Sequence, residues 1–170
     1  MRDVYRKLVE AEYRAVGAAL EGVEAFVTFG NVDRPRTLRR HLPATARFVD
    51  TQVIELDGAT FGFAGGGIDR GLGIPGEVGD EEMEAKLERL GGVDVLCTHV
   101  PPAIGPLSSD VVGGPQKGSE PVLRFIHRHR PAWHYFGDIH QPQAVAWRVG
   151  VTRCVNAGYF RATGRGVRHG

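Results

Sequence analysis

Four side chains that bind divalent metals in proteins follow three apolar segments of this chain. Asn31, His99 and the pair Asp138 and His140 each lie at the start of a polar loop. Amide, carboxylate and imidazole groups are suitable ligands for first-row divalent metals. If the preceding segments are parallel strands, their carboxyl ends lie at one edge of a sheet, where α/β proteins bind their ligands. The pattern therefore predicts a metal site built from loops at one sheet edge.

Each of these residues also has an ordinary structural explanation when it is considered alone. An asparagine after a glycine is typical of a tight turn, which accounts for Asn31. Asp33 precedes Pro35, so it is either the N-cap of a helix or a functional acid. His99 fits a loop histidine, and Asp138 fits a turn cap. Only their joint occurrence at successive strand ends favours a site. The other histidines lie outside the pattern and are interpreted as surface or core residues: His41, His127, His129, His134 and His169.

The elements that must position these loops alternate between helix and strand. Apolar residues at helical spacing predict helices over residues 3–20, 35–42, 80–90 and 120–129. Short apolar runs predict strands over residues 24–29, 47–49, 52–56, 59–64, 93–97, 133–136, 144–149 and 151–155. Asp57-Gly58 predicts a hairpin, residues 103–118 an irregular loop, and residues from 161 a frayed tail. We therefore expect one mixed α/β domain over residues 1–170.

Composition and charge exclude several classes of function. The chain has 170 residues and a formal net charge of +1, which gives no signal for nucleic acid or an anionic membrane surface. No apolar run is long enough for a membrane span, and the chain opens on a charged amphipathic segment rather than a secretory leader. Cys97 and Cys154 lie in apolar segments, which favours buried thiols over a disulfide. We therefore expect a cytoplasmic protein.

Three short motifs resemble those of the calcineurin-like metallophosphoesterases, in the same order and at similar spacing. Gly30-Asn31-Val32-Asp33 resembles the family's Gly-Asn-His-Asp motif. Thr98-His99-Val100-Pro101-Pro102 resembles Thr-His-x-Pro-Pro, and Gly137-Asp138-Ile139-His140 is similar to Gly-His-x-His. The resemblance implies an α/β/β/α sandwich in which the N-terminal strands of the family are missing. It also implies hydrolysis of phosphomonoesters or phosphodiesters by a metal-activated water.

The resemblance assigns a metal-binding role to four of the candidate residues. Asn31, His99 and Asp138 would hold one divalent ion, and His140 would hold a second. Asp33 is the candidate catalytic residue. Arg34 is a candidate contact for the phosphate of a small phosphoester substrate, by its charge alone. The mixed nitrogen and oxygen ligands suit manganese, iron or zinc, and one or two ions are expected.

Three departures from the family's motifs limit what the resemblance implies. The opening Asp-x-His and Gly-Asp-x-x-Asp motifs, which supply further ligands and the bridging carboxylate, have no match before residue 30. Val32 stands at the position of the catalytic histidine, and Asp138 replaces a histidine ligand. One ion would therefore keep three ligands and the other only His140, so we expect a single, weakly held ion. The missing strands would also leave an apolar sheet edge exposed.

Three functional hypotheses follow. The first is a metallophosphoesterase for which this chain supplies the C-terminal part of the catalytic domain, the rest coming from upstream sequence or a separate chain. The second is a non-catalytic module that binds a phosphate-bearing ligand or a partner protein, with its open edge covered in a homodimer or by a missing N-terminal segment. The third is a metal-free structural relative.

Overall fold

The structure, a computed structural model, describes residues 2–115 and 118–169. Its helices are α1 (Arg2–Ala19), α2 (Pro35–His41), α3 (Asp80–Leu90), α4 (Gly105–Ser108), α5 (Glu120–His129) and α6 (Phe160–Thr163), which follows a 3-10 turn (Ala157–Tyr159). Its strands are β1 (Ala25–Val27), β2 (Ala46–Phe48), β3 (Gln52–Leu56), β4 (Ala59–Ala64), β5 (Gly67–Ile68), β6 (Glu77–Val78), β7 (Val95–Thr98), β8 (Ser109–Asp110), β9 (Gly114–Pro115), β10 (Trp133–Phe136), β11 (Ala146–Val149) and β12 (Thr152–Asn156).

A six-stranded sheet with the order β11-β12-β10-β7-β4-β3 forms the centre of the fold. The inner strands β4, β7, β10 and β12 are parallel, and β3 and β11 are antiparallel to their neighbours. The β3–β4 connection is the predicted hairpin, in which Asp57 and Gly58 have φ angles of 51° and 80°. Because four parallel strands end on one side, the loops after β7, β10 and β12 are neighbours, as their spacing predicts. The mixed α/β fold is confirmed.

A smaller sheet of β1 and β2 lies against one face of the central sheet. These two strands are parallel, and the ring centroids of Phe26 in β1 and Phe63 in β4 are 6.1 Å apart. The opposite face of β4 is covered by α3, since a Cβ on Gly62 would come within 3.2 Å of the Leu90 side chain. Adjacent residues of a strand point to opposite faces. Phe63 therefore faces the smaller sheet, and Gly62 faces α3.

The open edge expected beside β1 is more covered than the sequence predicts. Within residues 2–115 and 118–169, β1 has β2 as its one strand partner. Its three side chains are nevertheless half-buried rather than exposed. Helices α1 and α2 pack against each other, with Tyr13 and Leu38 in the core that also contains Phe29. In this core Tyr13 and Leu38 are only 7% and 4% exposed to solvent.

Two regions predicted as irregular contain structure. In the predicted loop 103–118, whose residues 116 and 117 lie outside the described residues, α4 is followed by the hairpin of β8 and β9. Asp110 Oδ1 closes this hairpin by accepting from the backbone N–H groups of Val112 and Gly113, at 2.9 and 2.8 Å. The predicted irregular loop is therefore ordered by a carboxylate that caps its turn.

The tail after residue 161 was predicted to be frayed, and this is wrong at His169. The His169 ring makes edge-to-face contacts with Phe61, Trp133 and Tyr135, at centroid distances of 5.4 to 5.7 Å. Its Nδ1 atom lies 2.7 Å from the Tyr135 hydroxyl. The physical reason is the row of aromatic side chains on one face of β4 and β10, which offers the tail a partner.

No helix in the described part of the chain is both long and apolar enough to cross a membrane. The two cysteines are thiols, as predicted, with Cys154 buried and Cys97 half-buried. Burial raises the pKa of each thiol to about 12. Both are therefore protonated at neutral pH and unreactive as nucleophiles.

Candidate functional site

The loops after β7 and β10 bring His99 and Asp138 together. Nε2 of His99 lies 3.5 Å from Oδ1 of Asp138. The two loops are joined directly, because the backbone N–H of Gly137 donates to the carbonyl of His99 at 2.8 Å. The side chains are 24% and 12% exposed, so both are largely shielded from water. The structure therefore pairs two of the four predicted metal ligands.

The backbone of Asp138 adopts a left-handed conformation that directs this loop. Its φ angle is 65°, and the N–H of the next residue, Ile139, donates to the carbonyl of Gly137 at 2.7 Å. Aspartate tolerates this region of φ better than most residues, because its short polar side chain bonds locally. The tight turn places Asp138 beside His99 and moves His140 away from the strand end.

Asn31 reaches the same sheet edge from the smaller sheet. A Cβ on Gly30 would lie 2.6 Å from Cε1 of His99, so only glycine allows the Asn31 loop to lie against that ring. On its other side, Asn31 packs directly against Gly67, where a side chain would overlap it. Asn31 itself is half-buried. The first motif is thus adjacent to His99, as predicted.

Asp33 holds this loop in place. Its Oδ2 accepts from the N–H of Gly30 at 2.7 Å, and its Oδ1 accepts from the Tyr13 hydroxyl at 2.9 Å. It is not the N-cap of α2, because that position is Arg34, which makes no side-chain capping bond. Both carboxylate oxygens have structural partners, so Asp33 has a positioning role in this conformation. A catalytic role for Asp33 stays a prediction.

Arg34 lies at the N-terminus of α2 and is half-buried. Its backbone N–H donates to the Tyr13 hydroxyl at 2.8 Å, which ties the start of α2 to α1. The hydroxyl of Tyr13 therefore joins Asp33 and Arg34 through one atom. Contact of Arg34 with a substrate phosphate stays a prediction.

His140 lies apart from the His99 ring. It is exposed and lines a cavity of about 380 Å³ together with Asp138, Asp110 and Val112. His99 lines a neighbouring cavity of about 300 Å³ together with Gly30, Asp33 and Gly137. The paired side chains of Asp138 and His99 thus stand between two cavities, and His140 faces only one of them.

Two residues that the motifs do not contain hold the loop of Asp138 and His140 from both sides. Nδ2 of Asn156, a fully buried residue at the end of β12, donates to the carbonyl of Ile139 at 2.7 Å. Oδ2 of Asp110 accepts from the N–H of Gln141 at 2.9 Å. Backbone hydrogen bonds from Gly113 and Gln141 hold the pKa of the Asp110 carboxyl below its ordinary value. Asn156 directly follows the predicted strand 151–155, whereas Asp110 had no periodic signal.

Four buried polar atoms among the described residues have no hydrogen-bond partner: Thr28 Oγ1, His99 Nε2, His134 Nδ1 and Asn156 Oδ1. Three of them, on Thr28, His99 and Asn156, lie at the carboxyl ends of parallel strands. Buried polar atoms without a partner cost free energy, so these atoms at the sheet edge are candidate contacts for a ligand.

The distance between His99 and Asp138 is compatible with two ligands of one ion. Two ligand atoms that each lie about 2.1 Å from an ion are about 3.4 Å apart at the tetrahedral angle. The observed separation of 3.5 Å is close to this value. No group of three or more histidine, cysteine, aspartate or glutamate residues in the described ranges can hold a metal. Asn31, whose loop packs against the His99 ring through Gly30, stays the predicted third ligand.

Comparisons with known proteins establish the fold and no more. No family model matches the chain, and no curated protein matches it. One crystal structure matches with a TM-score of 0.68 at 20% identity, covering 91% of this chain and 64% of the other. The crystal structure of TT1561 of Thermus thermophilus matches with a TM-score of 0.59 at 18% identity, covering 88% of this chain and 70% of the other. This chain thus spans less than two thirds of the first of these proteins and has the α/β architecture of both.

Proposed function

We propose that this chain is the C-terminal part of a metal-dependent phosphoesterase that hydrolyses a small phosphomonoester or phosphodiester. One observation carries the proposal. A buried imidazole nitrogen, His99 Nε2, has no hydrogen-bond partner and faces the Asp138 carboxylate at 3.5 Å, at the ligand-binding edge of a parallel sheet. The three ordered motifs that surround these residues support the same activity.

His99 and Asp138 would hold the ion, with Asn31 as a third ligand. A divalent manganese, iron or zinc ion bound there supplies Lewis-acid stabilisation of the phosphoryl oxygens and activation of a water for attack on phosphorus. The residues of the chain do the positioning. Asn156 and Asp110 fix the loop that carries Asp138, which keeps the carboxylate oriented toward His99.

The other predicted site residues have secondary roles in this proposal. His140 lines the adjacent cavity and would bind a second ion only with ligands from another segment. Arg34 would contact the substrate phosphate. Val32, at the position where the family has a histidine, has no proton to give to a leaving group. We therefore expect faster hydrolysis of esters whose alcohol is acidic, such as p-nitrophenyl esters.

A non-catalytic module that binds phosphate-bearing ligands is the second candidate. The absence of a larger cluster of ionisable metal ligands from the described residues favours it, and so does Val32. In such a module the free side of β1 would be covered in a homodimer or by a missing N-terminal segment. We also propose that the protein is cytoplasmic, and the free thiols of Cys97 and Cys154 support this.

Hydrolysis of p-nitrophenyl phosphate and its bis-ester by the chelator-treated chain, with and without manganese, distinguishes the two candidates. The enzyme proposal predicts manganese-dependent release of p-nitrophenol that His99→Ala lowers at least 100-fold. His127→Ala, on the exposed surface of α5, is the matched control and leaves the rate unchanged. Manganese-independent release, or equal rates in the His99→Ala and His127→Ala variants, would overturn the enzyme proposal.

A further inference from the structure

Three aromatic side chains form a continuous surface on one face of the central sheet. Phe61 in β4 and Trp133 in β10 are aligned across β7, because both pair with Val95. Tyr135 is the next residue of β10 on the same face, and its ring centroid lies 5.8 Å from that of Trp133, with an angle of 11° between the ring planes. All three side chains are half-buried. We call Phe61, Trp133 and Tyr135 the aromatic shelf.

The aromatic shelf holds the imidazole ring of His169, which comes from the C-terminal tail. This ring is steeply inclined to the rings of Phe61, Trp133 and Tyr135, at centroid distances of 5.5, 5.4 and 5.7 Å. Its Nδ1 atom and the Tyr135 hydroxyl are 2.7 Å apart, which is a hydrogen-bond distance. The shelf therefore contacts a planar nitrogen heterocycle both through its rings and through one ring nitrogen.

The tail that carries His169 has few other polar contacts with the fold. In the described part of the chain, residues 165–168 make no hydrogen bond or ion pair with any residue before Thr163. His169 itself is exposed in spite of its three ring contacts. A ligand ring can therefore replace His169 on the shelf at the loss of one hydrogen bond, the one to Tyr135.

The charge beside the shelf favours an uncharged ring over an organic cation. The guanidinium of Arg153 lies 4.9 Å from the centroid of the Trp133 ring. A second cation on the same ring would be repelled by it. A purine base is uncharged and contains the same five-membered imidazole ring that His169 places on the shelf. Its ring nitrogens can also accept a hydrogen bond from the Tyr135 hydroxyl.

We infer that the aromatic shelf is a binding site for a purine base or a similar planar nitrogen heterocycle, and that His169 occupies it as an internal competitor. The site is independent of the proposed function. Tyr135 also lines the cavity of about 300 Å³ that His99 lines, which leaves adjoining space for the sugar of a nucleoside. Contact of a base with aromatic side chains raises affinity by roughly 5- to 100-fold.

Calorimetric titration of the chelator-treated chain with adenosine and with ribose tests the inference. The native chain should bind adenosine at least tenfold more tightly than ribose, because only adenosine carries a base. His169→Ala should bind adenosine at least threefold more tightly than the native chain, because the competing ring is gone. The neighbouring Arg168→Ala is the matched control and should bind adenosine as the native chain does. A gain of affinity cannot result from misfolding.

Substitution in the shelf itself gives a second measurement. Trp133→Leu should weaken adenosine binding at least tenfold. The matched control Trp147→Leu replaces a tryptophan that is 46% exposed on the opposite face of the sheet, and should leave binding unchanged. Unchanged or weaker binding in His169→Ala, equal binding of adenosine and ribose, or equal loss in the two tryptophan variants would overturn the inference. The hydrolysis of p-nitrophenyl phosphate decides the proposed function separately.

Discussion

Two histidines on neighbouring strands have opposite surroundings. His134, inside β10, is fully buried, and its Nε2 lies 2.8 Å from the Thr98 hydroxyl, which itself donates to the Val100 carbonyl. Burial lowers the pKa of His134 to about 3, so it is neutral at physiological pH. His99, just beyond the end of β7, instead faces a carboxylate that it does not hydrogen-bond. The comparison shows that position relative to the strand end decides the role. The histidine within a strand is a core residue, and the histidine just after a strand is a candidate ligand.

Two side-chain pairs near the candidate site show the same contrast. Lys86 donates to both oxygens of Asp50, at 3.1 and 3.0 Å, and to the Gly65 carbonyl at 3.0 Å. Its ammonium also lies 4.8 Å from the centroid of the Phe29 ring. We call this the closed pair, because its ammonium has three oxygen acceptors. We call His99 and Asp138 the open pair, because their 3.5 Å contact is not a hydrogen bond. Closed polar groups should therefore carry stability, and the open pair should carry binding.

The largest stability effect is expected from opening the closed pair. Lys86→Ala leaves the Asp50 carboxylate, 23% exposed, without its cation. We expect the free energy of unfolding to fall by about 3 kcal/mol, because the variant leaves the partly buried Asp50 carboxylate without an opposite charge. Urea denaturation measures this, with the exposed Lys7→Ala as the matched control, expected within about 0.5 kcal/mol of the native chain. A similar small change in both variants would contradict the distinction between closed and open pairs.

The buried His134 should make the stability of the folded chain sensitive to acid. The unfolded chain protonates this residue below its ordinary pKa of 6.5, whereas the folded chain does so only near 3. The free energy of unfolding therefore falls as the pH falls through this window, by about 2 kcal/mol at pH 5. Denaturation at pH 7.5 and pH 5 gives the loss of unfolding free energy between the two pH values, for the native chain and for His134→Gln. The difference between the two losses is the contribution of His134. An equal loss of stability in the variant and the native chain would show that His134 is not the source.

A smaller effect is expected at Asn156. Asn156→Ala removes the hydrogen bond to the Ile139 carbonyl and leaves that buried acceptor without a partner. We expect a loss of about 1–2 kcal/mol in the free energy of unfolding. Amide hydrogen exchange should also become faster in the loop of Asp138 and His140. The exposed Gln143→Ala serves as control, and unchanged exchange in the Asn156 variant would show that the loop does not depend on this bond.

The smallest effect is expected from the open pair itself. Asp138→Asn keeps the side-chain shape and a residue type that tolerates a φ of 65°. The His99 contact at 3.5 Å is longer than a good hydrogen bond, so the metal-free chain should change by less than about 0.5 kcal/mol. Denaturation in the presence of a chelator measures this. A loss as large as that of Lys86→Ala would identify the pair as structural.

Local patterns in the sequence predicted the features that depend on nearby residues. The strands that precede His99 and Asp138, the hairpin at Asp57 and the helix capped by Ser119 all depend on periodicity or on turn and cap chemistry. Ser119 directly precedes the helix predicted over residues 120–129, and its hydroxyl accepts from the Val122 N–H at 3.4 Å. These signals were sufficient to predict the sheet edge on which the candidate ligands lie.

The features that the sequence did not reveal depend on distant partners. Asp33 looked like a helix cap because its partner Tyr13 lies on another helix. Asp110 orders a loop through residues 31 positions further along the chain. His169 contacts aromatic residues of β4 and β10 that no local pattern connects to the tail. Contacts of this kind exist only after the sheet has formed.

The most direct test of the account is calorimetric titration of the metal-free chain with manganese. The paired geometry of His99 and Asp138 predicts one ion per chain and an affinity that His99→Ala lowers at least tenfold, with no change in His127→Ala. Binding of two ions, binding that does not depend on His99, or no binding at all would contradict the central claim that this pair is the metal-binding centre of the molecule.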